Sequence, residues 1–391
     1  MKEILLVGIS VRAAAQSAVR SGHPVMALDS FGDLDLSATC RNLSLMHDFP
    51  GCQDELDSAT ERLYRCTREL DFDEVIYLSG FENHPECVQG WETDGITVLG
   101  NSSETLRSVR DWEDIFAFLD KMEIPHPETF LVKDVTRLDT GQVDPRRYIV
   151  KPVHSGGGHG IRPLSDFLGA KPPEDRQPRP ILIQELLKGI PASSSFVSAP
   201  GEFRLISTTM QLTGNQFSPF RYCGNIAPLD APPKIRAEME MTAKTIAREY
   251  GLVGSNGIDF MLSGGRAHLL EVNPRPQGSL EVVESASDSS VMDSHIRSCR
   301  GCGVGKIKSS GRFFHGRKIV FSPSELVTTP LDSIDFVRDV PRPGTPMVPG
   351  APICTVVARS ESADGCRQSL GQLEKRVIRM ILEPGPWKPS P

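Results

Sequence analysis

Two segments in the second half of the chain concentrate oxygen ligands. Gly257-Ile258-Asp259-Phe260-Met261-Leu262 and His268-Leu269-Leu270-Glu271-Val272-Asn273 read as strands joined by a turn at Gly264-Gly265. Glu271 and Asn273 are two apart, so their side chains share one sheet face. Asp259 joins that face if the connection has an odd number of residues, for instance Ser263–Ala267. Two carboxylates and an amide oxygen on one surface suit Mg²⁺ or Mn²⁺. Such hard cations take one or two carboxylates and share their other positions with phosphates. The competing reading is a hairpin with solvent-facing charges, the usual place for Asp and Glu. Arg275 follows in Pro274-Arg275-Pro276-Gln277, where two prolines stiffen the segment that would aim it at an anion.

Lys151 and the run Ser155-Gly156-Gly157-Gly158-His159-Gly160 form a second constellation. A strand, Tyr148–Lys151, delivers a point charge, and the glycines let successive backbone N–H groups surround an anion. No GK[ST] closes the run, so it is not a Walker loop. A third segment, Ile181-Leu182-Ile183-Gln184-Glu185-Leu186-Leu187, is an apolar strand running into a polar hinge, which can offer backbone groups to a planar ring. A glycine-rich hairpin tip and an ordinary strand end are the plainer readings of these two.

These residues need a framework. Lys2–Val7, His23–Leu28, Glu74–Leu78 and Ile96–Leu99 read as strands alternating with helices at Arg12–Ser21 and Asp54–Leu70, the pattern of a parallel, doubly wound sheet. The turn Gly8-Ile9-Ser10-Val11-Arg12-Ala13 lacks the dinucleotide fingerprint. A boundary falls near Asn101-Ser102-Ser103, followed by one helix to about Met122 and a linker at Pro125 and Pro127. Short strands and loops occupy 128–200, including an exposed loop at Lys171–Pro180. A long helix is expected at Lys234–Tyr250, and short strands with a last helix at Gln368–Leu382 close the chain.

With 391 residues there is room for two or three domains. A net charge of -7 gives no basic footprint for nucleic acid, and no apolar run is long enough for a membrane span. Nine scattered cysteines fit reduced thiols in a cytoplasmic protein. The lone Cys299-Arg300-Gly301-Cys302 reads as a helix end, and His295 as structural.

The order of strand lysine, glycine loop, hinge and DxM–loop–ExNxR resembles the ATP-grasp superfamily. Within it, the chain is most similar to predicted ATP-dependent carboligases related to biotin carboxylase. The resemblance implies an α/β and α+β molecule in three parts. A Rossmann-like parallel sheet covers 1–103. Two lobes clasping ATP cover 104–305, the smaller at about 128–190, and a small β-rich domain covers 306–391. It further implies ATP contacts from Lys151, Ser155, Gly156, Gly157, Gly158, His159, Gly160, Gln184, Glu185 and Leu187. Asp259, Glu271 and Asn273 would hold Mg²⁺ or Mn²⁺, Arg275 would stabilise the transferring phosphoryl group, and Gln277 would face the acid. Arg221 is the candidate for an anionic group of the second substrate. The reaction implied joins a small carboxylic acid to an amine through an acyl phosphate. Bicarbonate carboxylation and nucleotide binding without turnover are the alternatives, and a homodimer is left open.

Two departures stand out. The family's second ATP-binding lysine, in an Asp-Lys pair, falls at Asp111-Trp112, leaving Arg110 or Arg107 to substitute. The glutamate base of biotin carboxylase falls at Ser279, two positions from Glu281.

Overall fold

The computed structural model describes residues 3–49, 58–133, 144–169, 180–307 and 311–383. The expected helix start at Asp54, and the loop at 171–180 apart from its last residue, lie outside them.

The first apolar runs pair as anticipated. Strands β1 (Ile4–Val7), β2 (Val25–Asp29), β3 (Leu43–Leu45), β4 (Glu74–Tyr77) and β5 (Thr97–Val98) form a parallel sheet in the order β3-β2-β1-β4-β5. β1 is central and buried throughout, which is why it reads as a continuous apolar run. Helix Pro85–Thr93 was not foreseen. Proline at its start needs no hydrogen bond there, and Gly90 makes room for the Tyr64 hydroxyl, which a Cβ would meet at 1.9 Å.

The expected helix to Met122 is two helices, Ser103–Val109 and Trp112–Lys121. Asp111 breaks it by capping the second, its carboxylate accepting from the N–H groups of Glu113 and Asp114. The break turns Arg110 inward.

A small antiparallel sheet follows, built from β6 (Thr129–Val132), β7 (Tyr148–Pro152), β8 (Arg162–Pro163) and β9 (Ile181–Glu185) in the order β6-β9-β7-β8. The largest sheet starts with β10 (Ile190–Ala199), a long strand where short ones were expected, and with β11 (Glu202–Thr213) and β12 (Tyr222–Ala227), where no strand was expected. β13 (Gly254–Ser263), β14 (Arg266–Asn273), β15 (Phe314–Phe321), a short pair β16 (Leu326–Val327) and β18 (Pro346–Met347), β17 (Val337–Arg338) and β19 (Pro352–Ser360) complete the set. Eight of these strands form one antiparallel sheet, β14-β13-β10-β11-β12-β15-β19-β17. The C-terminal strands thus extend the sheet that carries the metal-ligand candidates. Ile226 of β12 shares its core with Val320, Val356 and Leu370, the last from helix Ala363–Leu382.

The loop after β2 joins the two ends of the chain. Asp35 accepts the N–H groups of Asp339 and Val340, both at 3.0 Å, and Leu34 N–H donates to the Val340 carbonyl. Arg12, fully buried, donates to Asp339 at 2.9 Å and to both oxygens of Glu281 at 3.0 Å. The carboxyl ends of β1 and β2 are therefore closed by the chain itself, while the end of β4, at Ser79, opens into a cavity.

Candidate functional site

The β13–β14 hairpin turns at Gly264 and Gly265, whose φ values of +56° and +74° favour glycine in a two-residue turn. An even turn would place Asp259 opposite Leu270. A bulge intervenes: Phe260 pairs with Leu269, but Asp259 pairs with Glu271. One extra residue on β14 moves Asp259 onto the face of Glu271 and Asn273. The odd count required of the connection comes from this bulge rather than from the turn.

Asp259 and Asn273 are hydrogen-bonded, Glu271 pairs across from Asp259, and the three differ in their partners. Asp259 accepts from two amides, Gln211 at 2.8 Å and Asn273 at 3.1 Å. Burial, then the neighbouring Glu271, pushes the Asp259 carboxyl up to about 6. Desolvation also opposes the charge on half-buried Glu271, but Arg110, Lys151 and Arg275 overcome it and hold the carboxyl below its usual value. Arg110 Nη1 donates to Glu271 Oε1 at 2.6 Å, and Lys151 Nζ lies 3.8 Å from Oε2. Two carboxylates and an amide oxygen are hard donors, and the repulsion between Asp259 and Glu271 is what a bound cation relieves. The residues present therefore fit a divalent ion.

Lys151 projects from β7 above the Trp112 ring, its Nζ 5.9 Å from the ring centroid. The glycine run docks against β12. The Tyr222 N–H donates to the Gly157 carbonyl at 3.0 Å, and a Cβ on Gly158 would lie 1.9 Å from the Phe220 oxygen. Gly158 must be glycine on both counts, since its φ is +75°.

A cavity of about 310 Å³ runs between the small lobe and the large sheet. Its walls include Lys151, Ser155, Gly156, Gly157, Gly158, Gln184, Glu185, Leu187, Asp259, Glu271, Asn273, Arg275 and Gln277, all picked out from the sequence. His159, Gly160 and Arg221 are not among them. Arg221 instead contacts the His159 ring and stands 5.8 Å from the Phe321 ring centroid. Gln184 is buried and its amide donates to Thr129 at 3.1 Å.

Arg275 is tied inward. Its Nε donates to Glu82 at 2.7 Å, and Nη2 donates to Asn273 Oδ1 at 3.2 Å. Glu82, 3% exposed, comes from the turn after β4, so the parallel sheet fixes the arginine next to the metal candidates. Arg110 also bridges, with Nη2 on Asn83 Oδ1 at 2.6 Å. Arg107 points elsewhere, to Gln89. Of the residues at the two family departures, Arg110 bonds Glu271 beside the cavity, Ser279 lines the cavity, and Glu281 is held by Arg12.

Glu82 and Gln211 were missed. Each lies on a different element from the residue it holds, and Glu82 is 193 positions from Arg275, so no local spacing betrays it. The CxxC cysteines are free thiols, and the His295 ring accepts from Ser255 N–H and bonds the Leu99 carbonyl, a structural role.

Known proteins agree with this geometry. The ATP-grasp domain pattern matches residues 111–279. An uncharacterized protein of Methanocaldococcus jannaschii is 22% identical over 359 residues, 91% of this chain and 88% of its own length. The biotin carboxylase domain of Hydrogenobacter thermophilus 2-oxoglutarate carboxylase was solved as a dimer with MgADP, ADP and bicarbonate. It superposes with a TM-score of 0.73 at 12% identity, covering 97% of this chain and 94% of that one. An L-amino acid ligase from Bacillus licheniformis gives 0.69 at 16% identity, covering 96% and 97%. At these identities the structural likenesses establish the fold. With the lysine, glycine loop and metal-ligand face assembled around one cavity, residues 111–279 form an ATP-grasp domain.

Proposed function

We propose that this protein is an ATP-dependent carboxylate–amine ligase working through an acyl phosphate. The observation that supports it most is the convergence of Asp259, Glu271 and Asn273 on the cavity that Lys151 and Gly156–Gly158 also line. In this reading the adenine lies along the Glu185–Leu187 hinge. The triphosphate runs under the glycine loop toward Lys151. Asp259, Glu271 and Asn273 would hold Mg²⁺, which would supply charge neutralisation for the transferring phosphoryl group.

The protein's own groups supply positioning. Arg110 keeps Glu271 ionised and pointed at the cavity. Glu82 and Asn273 fix the Arg275 guanidinium, leaving its positive edge beside the position of the γ-phosphate, where it favours the acyl phosphate. The glycine loop, docked on β12, excludes water that would hydrolyse that intermediate. An amine then attacks the acyl carbon, forming the amide and releasing phosphate. Arg221 and His159 serve to hold the loop in place.

The carboxylase alternative has less support. Ser279 offers no carboxylate base in the cavity, and Glu281 is committed to Arg12. ADP formation by the full chain, screened over paired carboxylic acids and amines, tests the proposal. ADP that requires both an acid and an amine supports it. ADP formed with bicarbonate alone favours carboxylation, and nucleotide binding with no ADP in any combination rejects the ligase reading.

A further inference from the structure

At the hinge end of the cavity runs a hydrogen-bond chain that neither the phosphates nor the metal would use. Thr129 is the direct partner of Gln184 across the β6–β9 pair. Opposed residues of antiparallel strands point to one face, so hydroxyl and amide meet. Gln184 Nε2 donates to Thr129 Oγ1 at 3.1 Å, and Thr129 Oγ1 donates to the Pro127 carbonyl at 2.9 Å.

The direction of that chain decides which end of the amide the cavity meets. A primary amide carries a donor and an acceptor of nearly the same shape, and a half-turn exchanges them. The Thr129 hydroxyl has a single proton, and Pro127 takes it. Toward Gln184 the hydroxyl can therefore only accept, so it draws the NH₂ group and leaves Oε1 outward. Among the described residues nothing donates to Oε1, and it stays open to the cavity that Gln184 lines. The adjoining hinge is partly committed. The Glu185 N–H donates to the Glu128 carbonyl and the Leu186 N–H to the Arg147 carbonyl, both at 2.8 Å. Gln184 Oε1 is thus a fixed acceptor beside a hinge with two donors already spent.

We propose that Thr129 is a positioning residue for base selectivity. By fixing the Gln184 amide, it makes the cavity take a purine with an amino group at C6 and reject one with an oxygen there. The amino group donates to Oε1. A 6-oxo group brings a second acceptor against it, and both oxygens are desolvated without compensation. An untethered glutamine would turn its amide over and donate to the oxo group, so glutamine alone discriminates little. This rests on the nucleotide placement in the ligase reading and adds a residue that does not itself line the cavity.

The test is calorimetric titration of the full chain, with Mg²⁺, by ADP or by IDP, its 6-oxo counterpart. ADP should bind at least about thirtyfold more tightly. Thr129→Val should remove about tenfold of that preference, the scale of one hydrogen bond, and Thr129→Ala should do the same if valine prevents folding. Thr129→Ser keeps the hydroxyl and should keep the preference. Gln184→Glu added to Thr129→Val should restore it, because a carboxylate accepts at both oxygens. A merely structural threonine would weaken both nucleotides together and leave their ratio alone. An unchanged ratio in the valine and alanine variants, a lost preference in Thr129→Ser, no rescue by glutamate, or equal binding of ADP and IDP to the unaltered chain would each overturn the proposal. Failure of the unaltered chain to bind ADP would instead strike the nucleotide placement beneath it.

Discussion

The molecule holds two buried ionic clusters built from the same residue types, and they are finished differently. At the joint between the chain's ends, Arg12 is ringed by Asp339, Glu281 and Asp35. Burial opposes the charge on Asp339, yet Arg12 and Arg317 hold it down to about 2. Asp33 beside them, raised by burial and by its acidic neighbours to about 9, stays protonated, so the cluster is not overloaded with negative charge. At the cavity, Glu271 has its cations, but Asp259 contacts only amides and sits near 6. A cluster that serves stability neutralises itself from within. One that serves chemistry leaves a charge for something from outside.

Substitutions should separate the two clusters, beginning with the largest effect. Arg12→Ala removes the fully buried cation that half-buried Asp339 and Glu281 share, leaving them only Arg317 and Arg338, and should cost about 3–5 kcal/mol in denaturant unfolding. The protein that remains folded should still bind nucleotide. Lys151→Ala should do the reverse, lowering ADP formation by about a hundredfold or more with little change in unfolding midpoint.

Asp259 gives a pH signature. Its raised value means that the folded state binds a proton between 3.8 and about 6 that the unfolded chain has already released. Stability should therefore rise as pH falls through that window and be lost as pH climbs through it, by on the order of 1–2 kcal/mol. Added Mg²⁺ with nucleotide should flatten this dependence, since the bound cation keeps the carboxylate ionised. Asp259→Asn should remove the Asp259 share of it and leave the part that Asp33 contributes, which thermal melts across pH will show. The smallest effect is Gly158→Ala. It pushes the glycine loop off the Phe220 carbonyl and should raise the KM for ATP by about tenfold in initial-rate assays, with a minor change in stability.

The sequence carried the parts whose cause is local. β1, β2 and β4 are apolar runs closed by polar turns, and Glu271 and Asn273 share a face by strand geometry alone. What it hid has distant causes. The bulge that brings Asp259 round depends on the pairing of β13 with β14. Asp111 is a good cap, but it lies between helical stretches with no glycine or proline to mark the break. The length of β10 and β11 comes from the sheet around them, since their serines and threonines read equally well as loop.

The difference between the clusters predicts that the 259–271–273 face holds a cation. Titration of the full chain with Mn²⁺ in the presence of ADP, followed by electron paramagnetic resonance, measures that directly. The account predicts one tightly held Mn²⁺ per chain, lost in both Asp259→Asn and Glu271→Gln while each variant stays folded. Mn²⁺ binding that survives both substitutions unchanged would contradict it.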